Sequence, residues 1–272
     1  MSGVSPPLAR LGHELRLVLI ALQFLTRVPI PRRLGYEPAW LQQSIRHFPL
    51  VGAAIGGFAA ALLWLALALW PPAVAAALTV AATAWLTGAF HEDGLADTLD
   101  ALGGAVARER ALAIMKDSRI GSYGALALVL ATAVQFTALA ALAAADAAAA
   151  CAALVWAHAS SRALPLWLVW RLPYAGDAEH ARAKPLATSI DAGGLGLAVA
   201  TLAGLAALLL WVQPAAWPAL LAATVAAAAA GLWCRRWLQR RLGGYTGDTL
   251  GAAQQLALLA ALLAWLATVP AA

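Results

Sequence analysis

The chain of 272 residues is 63% hydrophobic and only 11% charged, with a mean hydropathy of +0.77. Soluble domains carry roughly 25% charged residues, so this composition excludes an ordinary one. The formal charge of +5 does not mark a nucleic-acid binder, because the bases sit in short loops between apolar runs, where membrane proteins keep them on one side.

Residues 1–14 are polar and contain proline, which predicts an interfacial position. The run 15–30 is apolar but broken by Arg16, Gln23 and Arg27, close to the lower limit of ~17 residues for a span. It is read as a short N-terminal helix, interfacial or spanning. A basic loop, 31–47, carries Arg32, Arg33 and Arg46. A span is predicted over 48–70, where Gly52, Gly56 and Gly57 give the small-xxx-small spacing that lets helices touch closely in lipid. After Pro71-Pro72, residues 73–90 return across the membrane and deliver an acidic stretch, 91–121. Spans 122–144 and 147–170 form a second hairpin turning near Asp146, and 194–212 with 215–233 a third turning at Gln213-Pro214. Residues 250–269 are the last span.

The predicted fold is all-α: one polytopic membrane helical bundle over 1–272, with about seven spans. Loops 31–47, 91–121, 171–191 and 235–249 hold nearly every Lys and Arg after Arg27, while the turns at 71–72, 145–146 and 213–218 hold none. Three hairpins put all four basic loops on one side, which is then cytoplasmic. Tryptophans such as Trp70, Trp211 and Trp217 fall near span ends, as an aromatic belt would. Cys151 and Cys234 lie inside apolar runs without metal-ligand spacing and are read as packing residues.

Chemistry concentrates between the second and third predicted spans. Residues 91–121 carry six acids and four bases. Asp93, Asp97 and Asp100 stand at i, i+4 and i+7, so a helix puts all three carboxylates on one face. Their mutual repulsion becomes coordination if a cation sits between them, and oxygen-only ligands suit Mg2+ or Mn2+ rather than zinc. Downstream, MKDSRIGSYG (115–124) offers Lys116, Asp117, Ser118 and Arg119 before Gly121 and Gly124, the residue types that hold a phosphate. His91 is a candidate proton acceptor, or else a plain interfacial histidine. Arg162 lies within an apolar run, where a charge marks a cavity, a partner or a substrate anion, or else snorkels to the interface. Near the end, GGYTGDTLG places Thr246 and Asp248 among glycines, as ligand contacts or helix caps.

Six blocks give a resemblance: FLTRVPIP (24–31), FPLVGAAIGG (48–57), HEDGLADTLDALGG (91–104), MKDSRIGSYG (115–124), SRALPL with LPYAG (161–176) and GGYTGDTLGA (243–252). In these, the chain resembles the cobalamin synthase family, the adenosylcobinamide-GDP ribazoletransferases. The resemblance implies a multi-pass enzyme of the bacterial cytoplasmic (inner) membrane that uses Mg2+. It would join adenosylcobinamide-GDP to α-ribazole or its 5'-phosphate, forming adenosylcobalamin or its 5'-phosphate and releasing GMP, the last assembly stage of cobalamin biosynthesis. It implies that Asp93, Asp97 and Asp100 hold the metal, with Lys116, Asp117 and Arg119 around the diphosphate. Its partners would be the corrinoid nucleotide, the ribazole and membrane lipid, with no nucleic acid. A homo-oligomer, or association with other enzymes of the corrinoid pathway, is compatible with it. Where family members often carry an acid after the last motif, this chain has Gln254 and Gln255, which receive no catalytic role. Two alternatives stand beside it. A CDP-alcohol-type phosphotransferase shares an acidic D-G-x-x-A run at a membrane exit, and a small-solute transporter would explain Arg162 and the glycines.

Overall fold

A computed structural model describes residues 7–31, 35, 37–176 and 188–269. The polar start at 1–6, Arg32, Arg33 and the centre of the third basic loop, 177–187, lie outside the described residues. The described helices are α1 (Pro7–Leu25), α2 (Pro38–Ser44), α3 (Phe48–Leu67), α4 (Pro72–Thr87), α5 (Phe90–Leu102) and α6 (Arg108–Ile114). They continue with α7 (Ser122–Ala145), α8 (Ala147–Arg171), α9 (Ala192–Val212), α10 (Trp217–Arg241) and α11 (Gly247–Leu266). The expected all-α class holds: a single isolated bridge, Tyr174 to Tyr245, is the extended pairing among the described residues.

Local chemistry sets the helix ends. Prolines in the first turn open α2, α3, α4 and α10, where a missing N–H costs nothing. Asp146 caps α8 by accepting from the N–H groups of Ala148 and Ala149, at 2.8 and 3.0 Å. Asp191 caps α9 through Gly194 N–H. The predicted continuous span 73–90 is instead broken. Gly88 ends α4 with φ 69°, Ala89 follows with φ 55°, and the chain turns by 88° into α5. Two successive left-handed residues reverse the helix direction, and the alanine bears a steric cost of ~1–2 kcal/mol for doing so.

Five helical stretches are long and apolar enough to cross a membrane, six if α4 and α5 count as one bent span. The polar centre of α8, with His158, Ser160, Ser161 and Arg162, explains why that helix of 25 residues is not among them. It is the interior of the bundle. Both α8 and α11 lie at the centre, α11 being 67% buried along its apolar window and α9 only 6%. An α9 that is apolar all round yet exposed has lipid as its natural partner. Trp70, Trp211 and Trp217 are exposed, as a belt requires.

Glycines decide how closely the central helices meet. A Cβ on Gly56 would sit 2.7 Å from the Leu154 carbonyl oxygen, and one on Gly52 would lie 2.9 Å from Ala159 Cα, so α3 rests on the backbone of α8. Gly57, the third glycine of the predicted motif, faces open space. A second crossing joins α5 to α11: a Cβ on Gly94 would lie 2.7 Å from the Asp248 carbonyl oxygen and 3.3 Å from Gly251 Cα. This contact seats the acidic helix against the last span. Gly94→Val is therefore expected to destabilise the protein by about 1–3 kcal/mol through overpacking. Thermal unfolding in detergent, with activity read in parallel, tests this; an unchanged midpoint would disprove the crossing.

Candidate active site

The bend after α4 creates a cleft. Thr87, Gly88 and Ala89 form its floor, Asp93 and Asp97 of α5 one wall, and Ser118 and Ile120 another, enclosing about 1170 Å³ of open space. Asp93 is exposed and Asp97 half-buried, one helical turn apart on the face that looks into the cleft. Arg27 stands at the rim. Its Nε lies 3.0 Å from where a Gly88 Cβ would be, and its backbone N–H donates to the Leu86 carbonyl at 2.8 Å. This base was not selected from the sequence, although it falls inside the FLTRVPIP block; nothing in a single sequence tells that block that it meets residue 88.

Asp100 does something other than join a three-carboxylate metal site. Its two oxygens accept from the backbone N–H groups of Gly121 and Gly124, each at 2.7 Å. Those donors are the start of α7, and a carboxylate there is favoured by both the unpaired N–H groups and the helix dipole. The glycines expected to approach a phosphate are thus occupied by Asp100, with no room for a Cβ: one on Gly121 would lie 2.5 Å from Asp100 Oδ1. Asp100 positions the 115–121 segment against α5.

Within that segment, Asp117 pairs with Arg119 at 2.6 Å and also receives the Arg119 backbone N–H at 3.1 Å. These bonds from Arg119 hold the Asp117 carboxyl down to about 2, so it is ionised at any working pH. The pair shapes a tight turn that presents Ser118 to the cleft. Arg119 is 86% exposed and Lys116 is also exposed; neither lines the cleft, but they flank Ser118 in the chain, which does.

The last motif acts largely as a brace. Thr246 is buried and caps α11 in a reciprocal box with Thr249: Thr246 N–H donates to Thr249 Oγ1 at 2.8 Å and Thr246 Oγ1 accepts from Thr249 N–H at 3.3 Å. Thr246 does not line the cleft. Asp248 contributes its backbone to the Gly94 crossing. Upstream, Tyr245 N–H donates to Pro173 O and Ala175 N–H to Tyr245 O, which ties LPYAG to GGYTG. Two arginines complete the lattice. Arg108 donates to the carbonyls of Leu242 and Ala175, and Arg241 to those of Leu102 and Gly104. Gln42 Nε2 and Oε1 engage Thr188 from the first basic loop. All four basic loops therefore meet at one end of the bundle, as three hairpins require.

Behind α5 lies an inner polar cavity holding His91, Glu92, Gln135, His158, Arg162 and Gln254. Arg162 is 2% exposed, and its Nη1 donates to the His158 carbonyl at 3.1 Å, with His158 Nδ1 at the same distance. Glu92 is the acid that faces this guanidinium across the cavity, so the charge is compensated internally rather than by snorkelling. His91 is buried on this side and is not part of the cleft. Four buried atoms here lack partners: Glu92 Oε2, His158 Nε2, Arg162 Nε and Gln254 Oε1. Glu92 was legible only as one acid among six; its placement depends on the bend at residue 88.

Among the described residues, no group of three His, Cys, Asp or Glu side chains is placed to hold a metal ion. The expected triad reduces to a pair, Asp93 and Asp97, because Asp100 is committed to backbone N–H groups. That pair still fits Mg2+, which commonly takes one or two carboxylates and completes its shell with water and substrate phosphates.

Comparison with known proteins agrees with the six sequence blocks. Residues 17–266 match the family described as cobalamin-5-phosphate synthase. A Leptothrix cholodnii protein named adenosylcobinamide-GDP ribazoletransferase is 57% identical over 96% of this chain and 99% of its own length. Proteins of the same name from Polaromonas naphthalenivorans and Vibrio cholerae are 45% and 39% identical, over 90% and 91% of this chain and 95% and 92% of theirs. No solved structure matches the chain.

Proposed function

The chain belongs to the cobalamin-5-phosphate synthase family, and from that membership we infer that it carries out the reaction its relatives are named for. It joins adenosylcobinamide-GDP to α-ribazole or its 5'-phosphate, releasing GMP and yielding adenosylcobalamin or its 5'-phosphate. The observation that carries the reading is the cleft itself, where Asp93, Asp97 and Ser118 face one another at the end of the bundle that gathers the basic loops. Family membership sets aside the CDP-alcohol phosphotransferase and the transporter.

The residues divide the work as follows. Asp93 and Asp97 would hold Mg2+, which when bound neutralises charge on the diphosphate and on the departing phosphate. Arg27, Lys116 and Arg119 at the rim attract the diphosphate and keep its oxygens in line, the positioning that phosphoryl transfer chiefly needs. Ser118 offers a hydroxyl to a phosphate oxygen from the turn that Asp117 and Arg119 fix. A ribose hydroxyl of the acceptor attacks the phosphorus bonded to cobinamide, its proton passing to a carboxylate of the cleft, and the bond to GMP breaks with its electrons on the leaving phosphate oxygen. Buried His91 and Arg162 serve the wall behind α5 rather than the reacting atoms.

The finer topology follows from the same layout. Counting the bent pair and α8 with the five apolar stretches gives seven crossings, with the cleft on the cytoplasmic side of the inner membrane by the charge rule. Purified protein in lipid vesicles, given both substrates, is expected to release GMP only with Mg2+ present and to form a corrinoid product in equal amount. GMP release without a divalent cation would overturn the metal assignment, and no GMP at all would overturn the reaction.

A further inference from the structure

Between α4 and α7 runs a groove of about 260 Å³ that the reaction as described does not use. Its walls are apolar: Val80, Ala81 and Ala84 from α4 face Leu128, Ala131 and Phe136 from α7. Its inner end is polar, formed by Glu92, Gln135 and Gln255, three side chains from three different helices. Among the described residues no Lys or Arg lines it. Glu92 and Leu128 also line the cleft that holds Asp93 and Asp97, so the groove opens into the cleft at Glu92. The Glu92 Oε2 atom is buried there without a hydrogen-bond partner. Phe136 lies fourteen positions into α7 from Ser122, ~21 Å along the helix at 1.5 Å per residue, which places the groove well inside the apolar depth of the bundle.

We propose that this groove is the subsite for the acceptor nucleoside, holding its aromatic base between α4 and α7 and its ribose at Glu92, Gln135 and Gln255. This rests on the reaction proposed above, and deepens it. The two substrates of that reaction differ in the environment they need. A guanosine diphosphate carries charge and suits the cleft with Arg27, Lys116 and Arg119 at its edge. The acceptor carries a flat, uncharged aromatic bicycle on its sugar, and an apolar slot with no base in it favours that ring, leaving any 5'-phosphate to the cleft. A carboxylate and two amides at the slot's polar end, which also line the inner cavity of Arg162, match ribose hydroxyls, and the Glu92 carboxylate carries a buried oxygen without a partner. The junction at Glu92 puts the sugar beside the phosphorus it attacks.

The test separates the two substrates kinetically in the vesicle-embedded protein. Ala81→Phe and Ala131→Phe narrow the groove at positions away from the cleft. Each is expected to raise KM for the acceptor by about 10-fold or more, the scale of a filled apolar pocket, while KM for adenosylcobinamide-GDP stays within about 2-fold. Phe136→Ala, which widens the slot, should let acceptors with bulkier bases turn over. Benzimidazole itself should compete with the acceptor and not with the donor, and should lose that effect in Ala131→Phe. Unchanged acceptor KM in both narrowed variants, as a lipid chain filling the groove would give, overturns the assignment. So does an equal rise in both KM values. Wild-type protein that turns over normally beside such variants confines the failure to the groove. Wild-type protein that releases no GMP removes the reaction, and with it this subsite.

Discussion

Asp97→Asn should lower GMP-forming turnover by about 1000-fold, ~4 kcal/mol at 1.36 kcal/mol per decade, while leaving the fold intact. Asp93 and Asp97 stand one turn apart on α5 with their face to the cleft, and such a like-charged i,i+4 pair costs an isolated helix ~0.2–0.5 kcal/mol. Neutralising one member relieves that repulsion, so the unfolding midpoint should stay level or rise slightly. Two carboxylates one turn apart can offer oxygens to one cation, and the oxygen-only chemistry of the site makes that a hard cation shared with substrate phosphates. The Mg2+ concentration for half-maximal activity should rise in Asp97→Asn, and Asp93→Asn should behave alike. Turnover near wild type in either variant, measured over a full Mg2+ titration, would sink the assignment.

How far the sequence carried these conclusions varies by residue. Long apolar runs made the helices visible, and the charge rule alone predicted that four basic loops share one end, which the bonds of Arg108, Arg241 and Gln42 show directly. The helical spacing of Asp93, Asp97 and Asp100 was also readable. What spacing does not encode is the partner of each carboxylate. Asp100 finds its donors 21 and 24 residues on, a contact that exists only because the chain doubles back before α7. The bend at Gly88 and Ala89 was hidden for a different reason. A Gly-Ala pair at the end of an apolar run reads as ordinary membrane helix, and only tertiary packing holds an alanine at φ 55°. That bend is what turns Asp93 and Asp97 to the cleft and sends Glu92 toward Arg162.

Buried polar side chains teach the complementary point. Arg162 was conspicuous in an apolar run, but the cavity it shares is lined from α5 and α11 as well as from its own helix, while its hydrogen bonds go to His158. Gln254 donates to Ser161 Oγ at 2.9 Å. An amide there supplies a hydrogen bond across the α8–α11 contact without adding a second carboxylate opposite Glu92, so the cavity keeps one acid for one guanidinium.

Asp100→Asn separates the positioning role of Asp100 from metal binding, and the two accounts predict opposite patterns. The carboxylate now accepts two backbone N–H groups at the start of α7. An asparagine offers one oxygen, and its NH2 meets the second N–H donor to donor. Losing a hydrogen bond to a charged group costs ~1.5–3 kcal/mol, and the lost charge at a helix N-terminus adds to it. At about 2–4 °C per kcal/mol for a chain of this size, the midpoint should fall by about 4–8 °C. Turnover should fall as well, because the wall bearing Ser118 and Ile120 is hung from α5 by this carboxylate. The Mg2+ requirement of the remaining activity should stay where it is in the wild type. A variant with its midpoint preserved and its Mg2+ requirement raised as far as that of Asp97→Asn would make Asp100 a ligand after all, and would return the site to three carboxylates. A lowered midpoint with an unmoved Mg2+ requirement leaves the metal to Asp93 and Asp97, with α7 held in place from behind.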